Sequence, residues 1–147
     1  MTSHAKLWRL AYCLTFCLSI TACSQTPLAK DELYQKLGAK AGLEQLVDGL
    51  LVEIEQDRQI VHHFQDTDIP RFRNLLIEQL CELSGGPCKY SGATMQESHT
   101  GFHITQADFD NLVNHLMKVM QQQNIDIKAQ NQLLALLAPM YKDVVYR

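Results

Sequence analysis

One short run of this chain, Gly85 to Thr105 (GGPCKYSGATMQESHTGFHIT), concentrates the residues able to do chemistry. His99 stands four residues after Met95, so on a single helical turn the two share a face. A neutral imidazole can give one nitrogen lone pair to a metal when the opposite ring N–H finds an acceptor that fixes the tautomer. For one isolated histidine the plain alternative is a solvated surface role. The other five histidines are weaker candidates. His4 lies in the N-terminal apolar segment, His62 and His63 precede Phe64 in a polar loop, and His103 follows the run that holds His99. His115, one turn past Leu112, reads as a core or inter-helix hydrogen bonder. Cys81 and Cys88, with six residues between them, form either a disulfide or two separate thiols, one of them packed in the core.

The elements that must position His99 are helical. Gly85-Gly86-Pro87 and Tyr90-Ser91-Gly92 forbid a long helix before Thr94 and leave one stubby turn for Met95 and His99. On either side the apolar spacing is that of amphipathic helices. Leu43, Leu46, Val47, Leu50, Leu51 and Ile54 mark one helix, preceded by Gly38 and Gly42 and closed by Asp57 and Arg58. Phe72, Leu75, Leu76, Leu80 and Leu83 mark a second, with Pro70 in its first turn and Gly85-Gly86-Pro87 at its end. Thr105 is a good N-cap with Asp108 three residues on, a variant capping box, and Phe109, Leu112, Val113, Leu116, Val119 and Met120 continue from it. A last helix runs from about Asp126 to Val145, with Leu133, Leu134, Leu137, Met140 and Val144 inward and a kink at Pro139. Four sizeable helices with short connections suggest two antiparallel pairs and an all-α domain. The poorly helical stretch from Gly85 to Ile104 is long for a compact domain and points to function. A flat apolar cofactor would give it something to pack against.

These residues together resemble the group I truncated haemoglobins, over roughly Leu33 to Val144. Leu33-Tyr34-Gln35-Lys36-Leu37-Gly38 is similar to that family's short first-helix motif, although its usual Gly-Gly is Gly38-Ala39 here. Gly85-Gly86-Pro87 with Tyr90-Ser91-Gly92 is similar to its second glycine motif. Met95 and His99 match the proximal turn, Gly101 to Thr105 its exit, Phe109 and His115-Leu116 the next helix, and Ala138-Pro139 the last. The resemblance implies a two-over-two helical sandwich enclosing haem b (iron protoporphyrin IX), with His99 as the iron ligand. It also implies a haem-contacting set of Phe64, Phe72, Arg73, Leu76, Tyr90, Met95 and Leu112, with Phe64 stacked on the porphyrin. Arg73 and Tyr90 are the candidates for the propionates, Arg73 through a charge-assisted bond. A solvated, unpaired Arg73 is the alternative.

The gas-binding side departs from the family pattern. Where a Tyr late in the long first helix and a Gln in the second usually donate hydrogen bonds, this chain places Leu51 and Leu76, flanked by Phe72 and Leu75. None can donate. One missing neutral donor costs about 1–1.5 kcal/mol, roughly tenfold in affinity for O2 relative to CO, because bound O2 carries charge on its outer atom and CO carries little. Gln79, one turn beyond Leu76, is the nearby candidate donor, placed by its position at the helix edge toward solvent or the porphyrin rim. No second histidine lies on that helix face, so the expectation is a five-coordinate ferrous iron open to gas, which His62 or His63 would contradict only if their loop folded over the iron.

The N-terminus reads as an address. Lys6 and Arg9 precede the apolar run Leu10 to Ile20, which is short for a membrane span. The run ends in Leu18-Ser19-Ile20-Thr21-Ala22-Cys23, which resembles a bacterial lipobox. That implies a signal peptide over 1–22, a lipidated Cys23, a tether over 23–30 and a globin-like domain over 31–147. The alternatives are an uncleaved anchor and an ordinary signal site ending in Ala. Acyl chains partition by about 0.8 kcal/mol per buried methylene, so several chains hold a protein on a bilayer. Ser24 after the cysteine resembles outer-membrane sorting. Such a protein sits in the bacterial envelope, an oxidising compartment where Cys81 and Cys88 can pair. A loop that short should give less than about 3 kcal/mol.

The chain of 147 residues suggests one domain, and its apolar fraction of 46% is ample for a core. The net charge of −3 becomes −5 without the first 22 residues, because Lys6 and Arg9 leave and no acid does. An acidic domain without a basic stripe argues against nucleic acid. The expected partners are diatomic gases, a lipid anchor and a reductase. The first functional expectation is reversible capture of O2, NO or CO. The second is nitric oxide dioxygenation, in which O2 and NO give nitrate and the oxidised iron is then reduced. A gas or redox sensing module, with the cysteine pair as switch, is the third.

Overall fold

The structure, a computed structural model, describes residues 31–147. The signal segment, Cys23 and the tether lie outside the described residues. All the regular structure described is helical: α1 (Glu32–Lys36), α2 (Ala39–Gln56), α3 (Ile69–Leu83), α4 (Met95–His99), α5 (Gln106–Gln122), α6 (Ile127–Leu137) and α7 (Tyr141–Val144), with 3₁₀ turns at Val61–Phe64 and Ala138–Met140.

Helix α2 is the beam of the fold. Its apolar face, Leu43, Leu46, Val47, Leu50 and Ile54, is buried and packs against both α3 and α5. Each fully buried leucine contributes about 1.5–3 kcal/mol. Leu51 is only partly buried and covers the core from outside. Close approach of α2 and α5 depends on Gly49, where a Cβ would stand 2.6 Å from Val119 Cγ1. The chain enters α2 through Gly38, whose φ of +83° is left-handed and suits glycine.

Helices α2 and α3 stop where the sequence predicts, before Asp57-Arg58 and before Gly85-Gly86-Pro87. The Asp68 side chain caps α3 by accepting from the Arg71 N–H, and Pro70 occupies the first turn. Thr94 caps α4 and Thr105 caps α5, each in a complete two-way capping box, with Glu97 and Asp108 respectively. After α3 the chain turns at Gly85, and Gly86 slots between Cys81 and the Tyr34 ring, where a Cβ would lie 2.6 and 2.7 Å from their atoms. Cys81 and Cys88 are joined by a disulfide, which ties the end of α3 to the following loop.

The C-terminal region differs from expectation. Instead of one kinked helix from Asp126, the Asp126 side chain caps α6, which ends at Leu137. Ala138–Met140 tightens to a 3₁₀ turn and α7 restarts at Tyr141. Pro139 lacks the N–H an uninterrupted α-helix needs there, so the ladder breaks rather than bends. The chain end then returns to the α4 exit. The Tyr146 N–H donates to the Ile104 carbonyl at 2.9 Å and the His103 N–H to the Arg147 carbonyl at 3.1 Å.

Candidate functional site

Because α3 and α5 both lean on α2, a gap opens between them. It is a cavity of about 510 Å³, walled mainly by aliphatic and aromatic side chains of α3, α4 and α5, with the 3₁₀ turn and the chain end completing it. That size and lining fit a small-molecule or cofactor site. Its α3 wall is Phe72, Leu75, Leu76, Gln79 and Leu80. The opposite wall includes Met95, His99, Phe102, Phe109 and Leu112.

His99 is the last residue of α4 and lines this cavity. Its Nδ1 lies 2.7 Å from the Met95 carbonyl oxygen. A carbonyl can only accept, so Nδ1 carries the proton and Nε2 carries the lone pair. Nε2 engages no protein group among the described residues. That is the tautomer and support a metal-ligating imidazole needs. The capping box of Thr94 and Glu97 fixes where this turn starts. Phe64 and Phe72 meet on the wall with ring centroids 5.4 Å apart.

Several residues sit differently from the sequence expectation. Arg73 does not reach the cavity. Its guanidinium makes a two-point ion pair with Asp48 on α2, with Nη2 2.8 Å from Oδ2. That pairing holds the Asp48 carboxyl below the usual range. Arg71, two residues earlier, lines the cavity instead. Leu51 is likewise off the wall, and Leu50 takes its place because one residue of helix is a 100° rotation. Gln79 is half-buried and lines the cavity, in keeping with the expected place toward a cofactor's rim. Its amide donates to the Met95 sulfur at 3.3 Å and approaches the Met140 sulfur at 3.9 Å. Tyr90 lines the cavity, but its hydroxyl donates to the Ala93 carbonyl at 2.8 Å. Burial, then the nearby Glu78 carboxylate, push that phenol upward.

His63 lies on the wall although the sequence placed it in a polar loop, and nothing in the dipeptide His62-His63 marks which ring turns inward. Its Nε2 is 3.4 Å from Asp108 Oδ2. Asp108 also accepts from the Thr105 hydroxyl at 2.7 Å, the Thr105 N–H and the Gln59 amide, which hold its carboxyl far below the ordinary range. His115 is an inter-helix group: Nε2 lies 2.7 Å from Asp57 and Nδ1 3.6 Å from Glu53, outside the cavity.

Comparison with known proteins places this architecture. Residues 32–146 match the family described as bacterial-like globin. A group 1 truncated hemoglobin GlbN from Nostoc sp. (strain MUN 8820) is 34% identical over 88 residues, covering 60% of this chain and 75% of that protein. One from Tetrahymena pyriformis is 24% identical over 113 residues, covering 77% and 93%. Among solved structures, the Fe(III) form of the Tetrahymena pyriformis truncated hemoglobin superposes with a TM-score of 0.75 at 23% identity, covering 78% of this chain and 98% of that one. The 2/2 hemoglobin of Synechococcus sp. PCC 7002, in the cyanomet state with covalently attached heme, gives 0.73 at 21% identity, with the same coverage. Those likenesses establish the fold. The fold and site thus define a two-over-two globin. The chain belongs to the bacterial-like globin family and, within it, to the group 1 truncated haemoglobins.

The residues present fit the haem that such a family implies. The cavity is broad and apolar, it holds an imidazole with a committed Nδ1 and a free Nε2, and Arg71 supplies a cation on its lining for carboxylate groups.

Proposed function

We propose that this protein binds haem b with His99 as iron ligand and captures diatomic gases reversibly, with O2, CO and NO as the candidate ligands. The observation that carries the reading is the His99 ring: Nδ1–H is tied to the Met95 carbonyl and the ring lines an apolar cavity. Haem, when bound, supplies an iron with one position open to gas, and the iron is five-coordinate before ligand arrives. The chain does the rest. Met95 orients the imidazole, Phe64 and Phe72 exclude water, and Leu50, Leu75 and Leu76 present an α2–α3 wall without a donor. Arg71 replaces Arg73 as the propionate partner in this reading. Lipidated Cys23 would hold the domain on the face of an envelope membrane; the sequence Leu18 to Cys23 supports this.

The test is flash photolysis and stopped flow on haem-loaded protein. A fast O2 release and a strong preference for CO support the reading. Mixing the O2-loaded form with NO decides the enzymatic alternative, for which ferric haem and nitrate must appear on the millisecond scale together with a reductase that restores the ferrous state.

A further inference from the structure

Gln79 turns its side-chain amide to sulfur. Its Nε2 lies 3.3 Å from the Met95 sulfur and 3.9 Å from the Met140 sulfur. The three side chains come from α3, from the first position of α4 and from the end of the second 3₁₀ turn, and all of them line the cavity. The nitrogen side of the amide faces the sulfurs, because an oxygen there would meet only further lone pairs. Among the described residues this half-buried N–H group meets no oxygen acceptor. A thioether is a weak acceptor, so donors drawn from water to sulfur recover little of what they lose. One oxygen added to either sulfur would give them a polar acceptor in place. The other described methionines are placed differently. Met120 is fully buried, Met117 packs against the core, and neither lines the cavity.

We propose that Met95 and Met140, with Gln79 between them, form a site of reversible sulfoxidation by hydroperoxides, and that Met95, the nearer to the amide, reacts first. A lone pair of the Met95 sulfur attacks one peroxide oxygen. The S–O bond forms as the O–O bond breaks, and the second oxygen leaves as hydroxide, or as alkoxide from an organic peroxide. That leaving group takes the proton from the transferred oxygen and departs as water or alcohol. Sulfur loses the two electrons that the peroxide gains. Negative charge gathers on the peroxide oxygens during the transfer, and the Gln79 N–H group stands where it can meet that charge. Afterwards the same group holds the sulfoxide oxygen. Thiol-dependent sulfoxide reductases restore the thioether, so the mark is erasable. It also falls at the root of the His99 turn, because the Met95 carbonyl is the acceptor for His99 Nδ1. An oxygen fixed between Met95 and Gln79 therefore ties α3 to the turn that carries the imidazole.

The test is a time course with hydrogen peroxide, read by peptide mass spectrometry. The protein is used in its haem-loaded, CO-bound form, where the iron is capped; if no haem binds, the purified chain is used in the same way, so failure of the haem reading leaves this test standing. Met95 should gain one oxygen first and Met140 next, with Met117 and Met120 behind them. In Gln79→Leu the rate at Met95 should fall about fivefold, the value of one ordinary hydrogen bond, while the rate at Met117 stays as it was. A readout that needs no variant is the side-chain amide resonance of Gln79. It should move downfield as the Met95 sulfoxide appears and return after treatment with a methionine sulfoxide reductase. Oxidation of Met117 as fast as that of Met95, an unchanged Met95 rate in Gln79→Leu, or an amide resonance that stays still would each overturn the inference.

Discussion

At the scale of single residues the site is a contrast between one supported imidazole and a wall of hydrocarbon. His99 is worth more than its type because Met95, four residues earlier, offers its carbonyl to Nδ1. The sequence showed that spacing, and the support follows from it. It could not show which neighbours share the wall. Arg73 and Arg71 differ by two positions, and only the Asp48 carboxylate, 25 residues away in the chain, decides that Arg73 turns outward. Leu50 and Leu51 differ by one helical step, and the apolar stripe contains both. On this wall a donor can be restored. Leu76→Gln should slow O2 release about tenfold, the value of a neutral hydrogen bond of roughly 1–1.5 kcal/mol, and change CO release much less. Equal effects on both gases would mean that the substitution acts by bulk and not by donation.

At the scale of elements, caps and cross-links do the positioning. The apolar periodicity made α2, α3 and α5 readable, with the Thr105–Asp108 signature at the start of α5, because caps and stripes are local; α4 was read from the breakers before Thr94, and its Thr94–Glu97 box, a signal of the same kind, went unread. Pro139 was readable as a break in regularity, but whether the helix bends or restarts depends on what the chain end packs against. The carboxyls of Asp48, Asp57 and Asp108 are all lowered in the fold, by Arg73, His115 and Thr105 as their respective first causes. A lowered folded value means stability present above the unfolded aspartate value of about 3.9 and lost as pH falls through the folded ones. The thermal midpoint should therefore hold from neutral pH down to roughly pH 4 and drop below it. Asp108→Ala should remove the return half of the α5 capping box together with the Gln59 and His63 contacts, and cost about 1–2 kcal/mol in urea unfolding at pH 7. A midpoint that rises on acidification would contradict this assignment. The Cys81–Cys88 bond closes a short loop, so reduction should lower stability by less than about 3 kcal/mol and leave the helical circular dichroism intact.

At the scale of the molecule, α3 and α5 packed on a central α2, with α4 beside them, leave an apolar cavity. Composition and periodicity announced an all-helical domain. The long, poorly helical stretch between α3 and α5 pointed to a site, and the cavity lies against it. What fills the cavity decides everything said about gas. The most direct measurement is an absorption titration of the purified apoprotein with ferric haem, followed by reduction, with His99→Ala alongside. A stoichiometric Soret band, a single broad visible band in the ferrous state, and loss of stable haem in His99→Ala are the predicted results. A colourless protein, or one that keeps its haem unchanged without His99, would contradict the account.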